Sequence, residues 1–197
     1  GYSSGNIEDC YNTGSVSGGN NVGGIAGFSY GSIEGCYNTG EVSGSIMVGG
    51  IAGDSINGSI EGCYNTGEIS GSGIYVGGIV GAGGSIEDCY NTGSVNGGNE
   101  VGGIAGYTDG GIEGCYNTGE VSGGNRVGGI AGNSDDSIEG CYNTGSVSGS
   151  DYVGGMAGYT HHCSITECYN TGKVRGSNYV GGIAGYSGGS IEDLSLI

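Results

Sequence analysis

Residues 32–53 read SIEGCYNTGEVSGSIMVGGIAG, and this stretch returns, lightly altered, from one end of the chain to the other. Its CYNTG portion begins at Cys10, Cys36, Cys63, Cys89, Cys115, Cys141 and Cys168. Its VGG portion begins at Val22, Val48, Val76, Val101, Val127, Val153 and Val180. Successive starts lie 25 to 28 residues apart. A repeat of that length, built from short β-branched runs separated by glycine, marks a solenoid in which each coil stacks on the one before. The chain has 53 Gly, no Pro, no Trp, one Phe and 15 Tyr. So much glycine without a Gly-X-Y register excludes collagen, and the fixed phase of Val, Ile, Cys and Tyr excludes a disordered glycine tract.

The expected fold is therefore all-β: a right-handed parallel β-solenoid (β-helix) of about seven coils, ~26 residues per coil, with three short strands per coil. It runs as a single repeat domain over residues 1–197. The three strands are VGGIAG, SIEGCYN and GEVSG, illustrated by residues 48–53, 32–38 and 40–44. Length changes fall between them, at Ser55-Ile56-Asn57 and Gly71-Ser72-Gly73, as expected of loops. Gly1-Tyr2 stands in phase with Gly185-Tyr186, so the chain opens in mid-repeat and reads as an excerpt of a longer protein.

Side-chain facing follows from alternation. Ile33 points inward and Glu34 outward, but Cys36 is then out of step. The residue between is Asp9, Gly35, Gly62, Asp88, Gly114, Gly140 or Glu167, and Gly and Asp accept a left-handed bend that returns Cys to the interior. Leu194 takes the Cys place in the last repeat, which marks that place as buried. Tyr37 then faces out, Asn38 in and Thr39 out. The core set per coil is Val48, Ile51, Ile60, Cys63 and Ile69. Each is worth roughly 1.5–3 kcal/mol when buried, as an upper value. The side on which Ile51 falls depends on a bulge at Gly49-Gly50; without one, an exposed Ile/Met stripe results.

VGGIAG followed by SIEGCYNTGEVSG resembles the GLUG repeat of bacterial cell-surface proteins, whose Gly-Leu-hydrophobic-Gly core is written here as Gly-Ile-Ala-Gly. The resemblance covers essentially the whole chain and departs locally at Val80, Met156 and the coil beginning at Tyr159. It implies an extracellular or cell-surface bacterial location, beside adhesins and IgA-specific peptidases, and repeats that are not themselves catalytic.

The charge is −17, from 20 acidic residues against Arg126, Lys173 and Arg175. Such a surface repels nucleic acid and anionic lipid. No nucleic-acid partner and no membrane insertion of this segment are expected. The outward columns supply the candidate sites. Tyr37, Thr39, Tyr64, Thr66, Tyr90, Thr92, Tyr116, Thr118, Tyr142 and Thr144 form the candidate interaction face, for a protein or glycan on a host or neighbouring cell. Glu34, Glu61, Glu87, Glu113 and Glu139 are candidate calcium ligands, with a solvated acidic face as the alternative. His161, His162 and Cys163 are ligand types for a transition metal, although adjacent side chains in an extended loop diverge. The Cys column reads as packing rather than as staples or a metal array. Cofactors are expected to be none, with calcium the one candidate. Asp135-Asp136 beside His161 is the only carboxylate pair placed where enzymes on solenoids keep theirs, and no nucleophile, zinc or nucleotide motif accompanies it. The expected role is a structural or adhesive module without enzymatic activity. The alternative is a self-assembling filament whose open coil edges stack end to end.

Overall fold

A computed structural model describes residues 1–192 of the chain. It is all-β, and one coil carries the strands Ile60–Glu61, Tyr64–Asn65, Ile69–Gly71, Ile74–Gly77 and Val80–Gly83. Each strand hydrogen-bonds in parallel with its counterpart one coil away, which builds two 8-stranded and three 7-stranded sheets. Like residues face like residues: Ile60 lies opposite Ile33 and Ile86, and Tyr64 opposite Tyr37 and Tyr90. The molecule is a parallel β-solenoid, as its repeat requires.

Two of the three expected strands are each divided in two. SIEGCYN breaks at the residue before Cys, whose φ is 51° at Asp9, 61° at Gly35 and 52° at Glu167. This left-handed bend returns Cys36 to the interior, where it is fully buried. VGGIAG breaks at Gly50-Ile51, between the strands Ile46–Gly49 and Ala52–Ser55, and Ile51 turns inward. Ile51, Ile79, Ile104, Ile130 and Met156 are all 0% exposed, so no Ile/Met stripe reaches the surface.

The double glycine divides the core. One cluster holds Ile33, Cys36, Ile51 and Ala52 with their copies. A second holds Val42, Val48 and theirs. Between them the backbone pinches: a Cβ on Gly103 would meet the carbonyl oxygen of Gly129 and the side chain of Asn117. The Asn column stands at this waist. Asn38 Nδ2 donates to Asn65 Oδ1 at 2.7 Å and to the Gly40 carbonyl at 2.7 Å, and the pattern repeats from Asn12 to Asn170. Buried amides are tolerable here because each finds its partner in the next coil.

All eight thiols are free. The N–H of Cys36 donates to Cys63 Sγ at 3.3 Å, and the Cys63 thiol donates to the Glu61 carbonyl at 3.3 Å. Burial pushes the Cys36 thiol up, and contact with the Cys141 thiol followed by burial does the same for Cys168. These sulfurs act as small apolar core atoms. Leu194, expected in the same column, lies outside the described residues.

Candidate functional site

The outward columns emerge from this stacking. Since Asn38 is tied inward, its flanking residues, Tyr37 in the same short strand and Thr39 just after it, are turned away from the core. Tyr37 is half-buried against its neighbours and Thr39 is exposed. The rings of Tyr11, Tyr37, Tyr64, Tyr90, Tyr116, Tyr142 and Tyr169 form one stack, with centroids 4.8 to 5.2 Å apart and planes within 8° of parallel. The spacing is that of the strands themselves, so the sheet imposes it. Desolvation, then the adjacent rings, push the phenols of Tyr116 and Tyr142 up, which keeps them neutral hydrogen-bonding groups. Beside the rings runs the exposed column of Thr39, Thr66, Thr92, Thr118 and Thr144. The structure thus brings together all ten residues expected to form the face.

The carboxylates of Glu34, Glu61, Glu87, Glu113 and Glu139 are in register, and all are exposed. A shallow groove of about 70 Å³ runs beside Glu87, Glu113 and Glu139. His161 and His162 are exposed, whereas Cys163 is buried with its thiol directed to the Ser134 carbonyl at 3.6 Å. His161 instead meets the edge of the Tyr159 ring, 4.9 Å away. Asp135 is likewise engaged, accepting a 2.8 Å hydrogen bond from the Tyr107 hydroxyl. Among the described residues no group of three or more His, Cys, Asp or Glu is arranged to hold a metal ion.

A second decorated face has no counterpart in the expectations above. The residue before each VGG is Asn21, Met47, Tyr75, Glu100, Arg126, Tyr152 or Tyr179, and φ is positive at every one, between 51° and 61°. The glycine of each IAG lets this strained backbone approach: a Cβ on Gly158 would collide with the main chain of Arg126. Beside this column runs another, in which Phe28, Asp54, Ala82, Tyr107, Asn133, Tyr159 and Tyr186 are in register. The two columns touch across the groove. Tyr75 meets Tyr107 with centroids 5.6 Å apart, and Asn133 Nδ2 lies 3.5 Å from Glu100 Oε2. Arg126 pairs with Glu100 at 2.8 Å and places its guanidinium carbon 4.7 Å from the centroid of the Tyr159 ring. The signal that could have found this face is the internal variation. These two places change chemistry from coil to coil up to Tyr152 and Tyr159, after which both keep Tyr, while their neighbours in the repeat hardly change.

A stacked repeat solenoid with non-repeating side chains along one face defines the class of the protein. The model of the GLUG motif matches residues 18–43, 72–96, 123–148 and 149–175, more than half of the chain. The chain belongs to the GLUG-motif family. Among solved structures it is similar to a protein from Bacteroides ovatus that carries a provisional description as an immunoglobulin A1 protease. That similarity has a TM-score of 0.69 and 23% identity, and covers 93% of this chain. The chain spans 66% of that structure's length, and at this identity the likeness is one of fold. Comparison with curated proteins gives no match.

Proposed function

We propose that the chain is a non-catalytic structural and adhesive module of a bacterial surface protein, a stiff rod presenting its Tyr/Thr face to a protein or glycan outside the cell. One observation carries this reading: the uninterrupted ladder of seven tyrosine rings beside a column of exposed threonines. The edges and hydroxyls of stacked rings supply contact area without loss of side-chain freedom, because the rings are already ordered. The neighbouring hydroxyls offer hydrogen bonds at the coil spacing, which suits an extended, repetitive partner. The family supports a repeat domain of this kind, and the immunoglobulin A1 protease description of the Bacteroides ovatus structure makes a setting outside the cell a consistent one.

The test is to apply the fluorescently labelled chain to immobilised glycans, mucin, extracellular-matrix proteins and immunoglobulin A1, beside the variant T66K/T92K/T118K. Lysines on exposed places cover the face without entering the core, and circular dichroism checks the fold. Retention on at least one probe that falls tenfold or more in the variant is the expected result. Equal retention by both proteins, or none by the parent chain, overturns the reading. Cleavage of the immunoglobulin would refute its non-catalytic part, and fibrils in electron micrographs would favour end-to-end assembly instead.

A further inference from the structure

The groove between the two variable columns is filled along the Arg126 coils and open at Ala82. Where the four following coils place Tyr107, Asn133, Tyr159 and Tyr186 and the preceding coil places Asp54, this coil has alanine, and a cleft of about 790 Å³ results. Tyr75 and Tyr107 line it on the aromatic side, and the Tyr107 hydroxyl bonded to Asp135 helps to orient that ring. Met47 and Ile56 add apolar surface, and Asp54 and Asp109 add two carboxylates.

Ser55 also lines the cleft and is 1% exposed, yet its Oγ has no hydrogen-bond partner among the described residues. Where the same place carries a hydroxyl in nearby coils it is engaged: Ser29, Thr108 and Ser134 each donate to the carbonyl two residues ahead, at 2.7 to 3.0 Å. At Ser55 the following loop is longer and passes through Asn57 at φ 64°, and that bond is not made. A buried hydroxyl without a partner is costly and is found where something else completes it.

We propose that this cleft binds the guanidinium side chain of an arginine carried by a partner polypeptide. Aromatic faces with two carboxylates and an uncommitted hydroxyl complement a planar cation with five N–H donors and an apolar stem. The molecule supplies the precedent in the same groove, where Arg126 lies against the Tyr159 ring and pairs with Glu100. At Ala82 the ring and the carboxylates recur and the cation is missing from the sequence. Asp54 accepts one long hydrogen bond, 3.4 Å from Asn21 Nδ2, and makes no ion pair among the described residues; desolvation and then the charge of Asp109 raise its carboxyl, which a cation would relieve. This site is separate from the Tyr/Thr face and stands without it.

Isothermal titration of the whole chain with N-acetyl-Gly-Arg-Gly-amide tests the proposal, against the same peptide with Gln for Arg and against free argininamide. Two variants accompany it. A82Y introduces the ring that the next coil carries at Tyr107, and D54N removes one charge while keeping the shape; thermal unfolding monitors both. The Arg peptide should bind with a Kd of roughly millimolar or tighter, and the Gln peptide, A82Y and D54N should each weaken binding by about tenfold or more. Peptide binding at least as tight as that of free argininamide supports a polypeptide source, whereas tighter argininamide overturns it in favour of a small-molecule site. Absence of binding, equal affinity for the Gln peptide, or an Arg affinity untouched in folded A82Y would overturn the proposal. So would binding of a chitin oligosaccharide, abolished by A82Y, in place of the peptide.

Discussion

Asn91 holds three hydrogen bonds with one side chain, accepting from Asn65 Nδ2 and donating to Asn117 Oδ1 and the Gly93 carbonyl, each at 2.8 Å. It has no exposure, so no water takes over what a substitution leaves unmade. Asn91→Ala should lower stability by about 2–3 kcal/mol, read from chemical denaturation; a loss of only a few tenths would mean that the amide column is not a supporting element. Asp54 makes the opposite case. Its folded-state carboxyl lies above the ordinary 3.8, raised by desolvation and by Asp109. Its contribution to stability is therefore fully present below pH 3.8 and lost as pH rises through the folded value. Asp54→Asn should raise the Tm at pH 7, and the gain should shrink on acidification and vanish below the ordinary carboxylate range. A variant that melts lower at pH 7 would show that Asp54 is satisfied within the chain.

Much of each strand was legible because inward letters obey local rules. Ile33 and Ile60 alternate, and the Asp or Gly before each column Cys, with Glu167 once in its place, takes the left-handed bend found at φ 49° to 63°. The division of VGGIAG was not legible, because it arises from the approach of neighbouring coils rather than from the residues' own preferences. A Cβ on Gly103 would run into Gly129 and Asn117, while one on Gly111 meets nothing nearer than 3.7 Å. Gly103→Ala should thus cost at least about 3 kcal/mol, and Gly111→Ala should be nearly neutral, in paired thermal melts. Equal effects would place the constraint elsewhere than at the waist. The second face was hidden for a related reason. Met47, Tyr75 and Arg126 are residues that resist positive φ, and only the glycine of the next coil permits it there. The Tyr/Thr face, by contrast, could be read from alternation once the left-handed bend before Cys36 was placed.

At the scale of the whole molecule, stacking converts a repeated sentence into a ruler. Each outward column advances by one strand spacing per coil, about 4.8 Å, so seven coils make a rod roughly 35 Å long. The charge of −17 discourages lateral association of such rods. What differs between coils, such as Arg126 or the gap at Ala82, is thereby placed at a defined height along the rod. The central claim is that the repeats stack one coil at a time, with every Thr of the face in register. Spin labels at Thr39→Cys paired with Thr144→Cys, or with Thr171→Cys, in a chain carrying Cys10→Ser test it directly by pulsed electron resonance. The register predicts about 19 Å across four coils and about 24 Å across five, an increase of one strand spacing. Distances that do not lengthen with coil number, or that jump by about 10 Å or more, would contradict it.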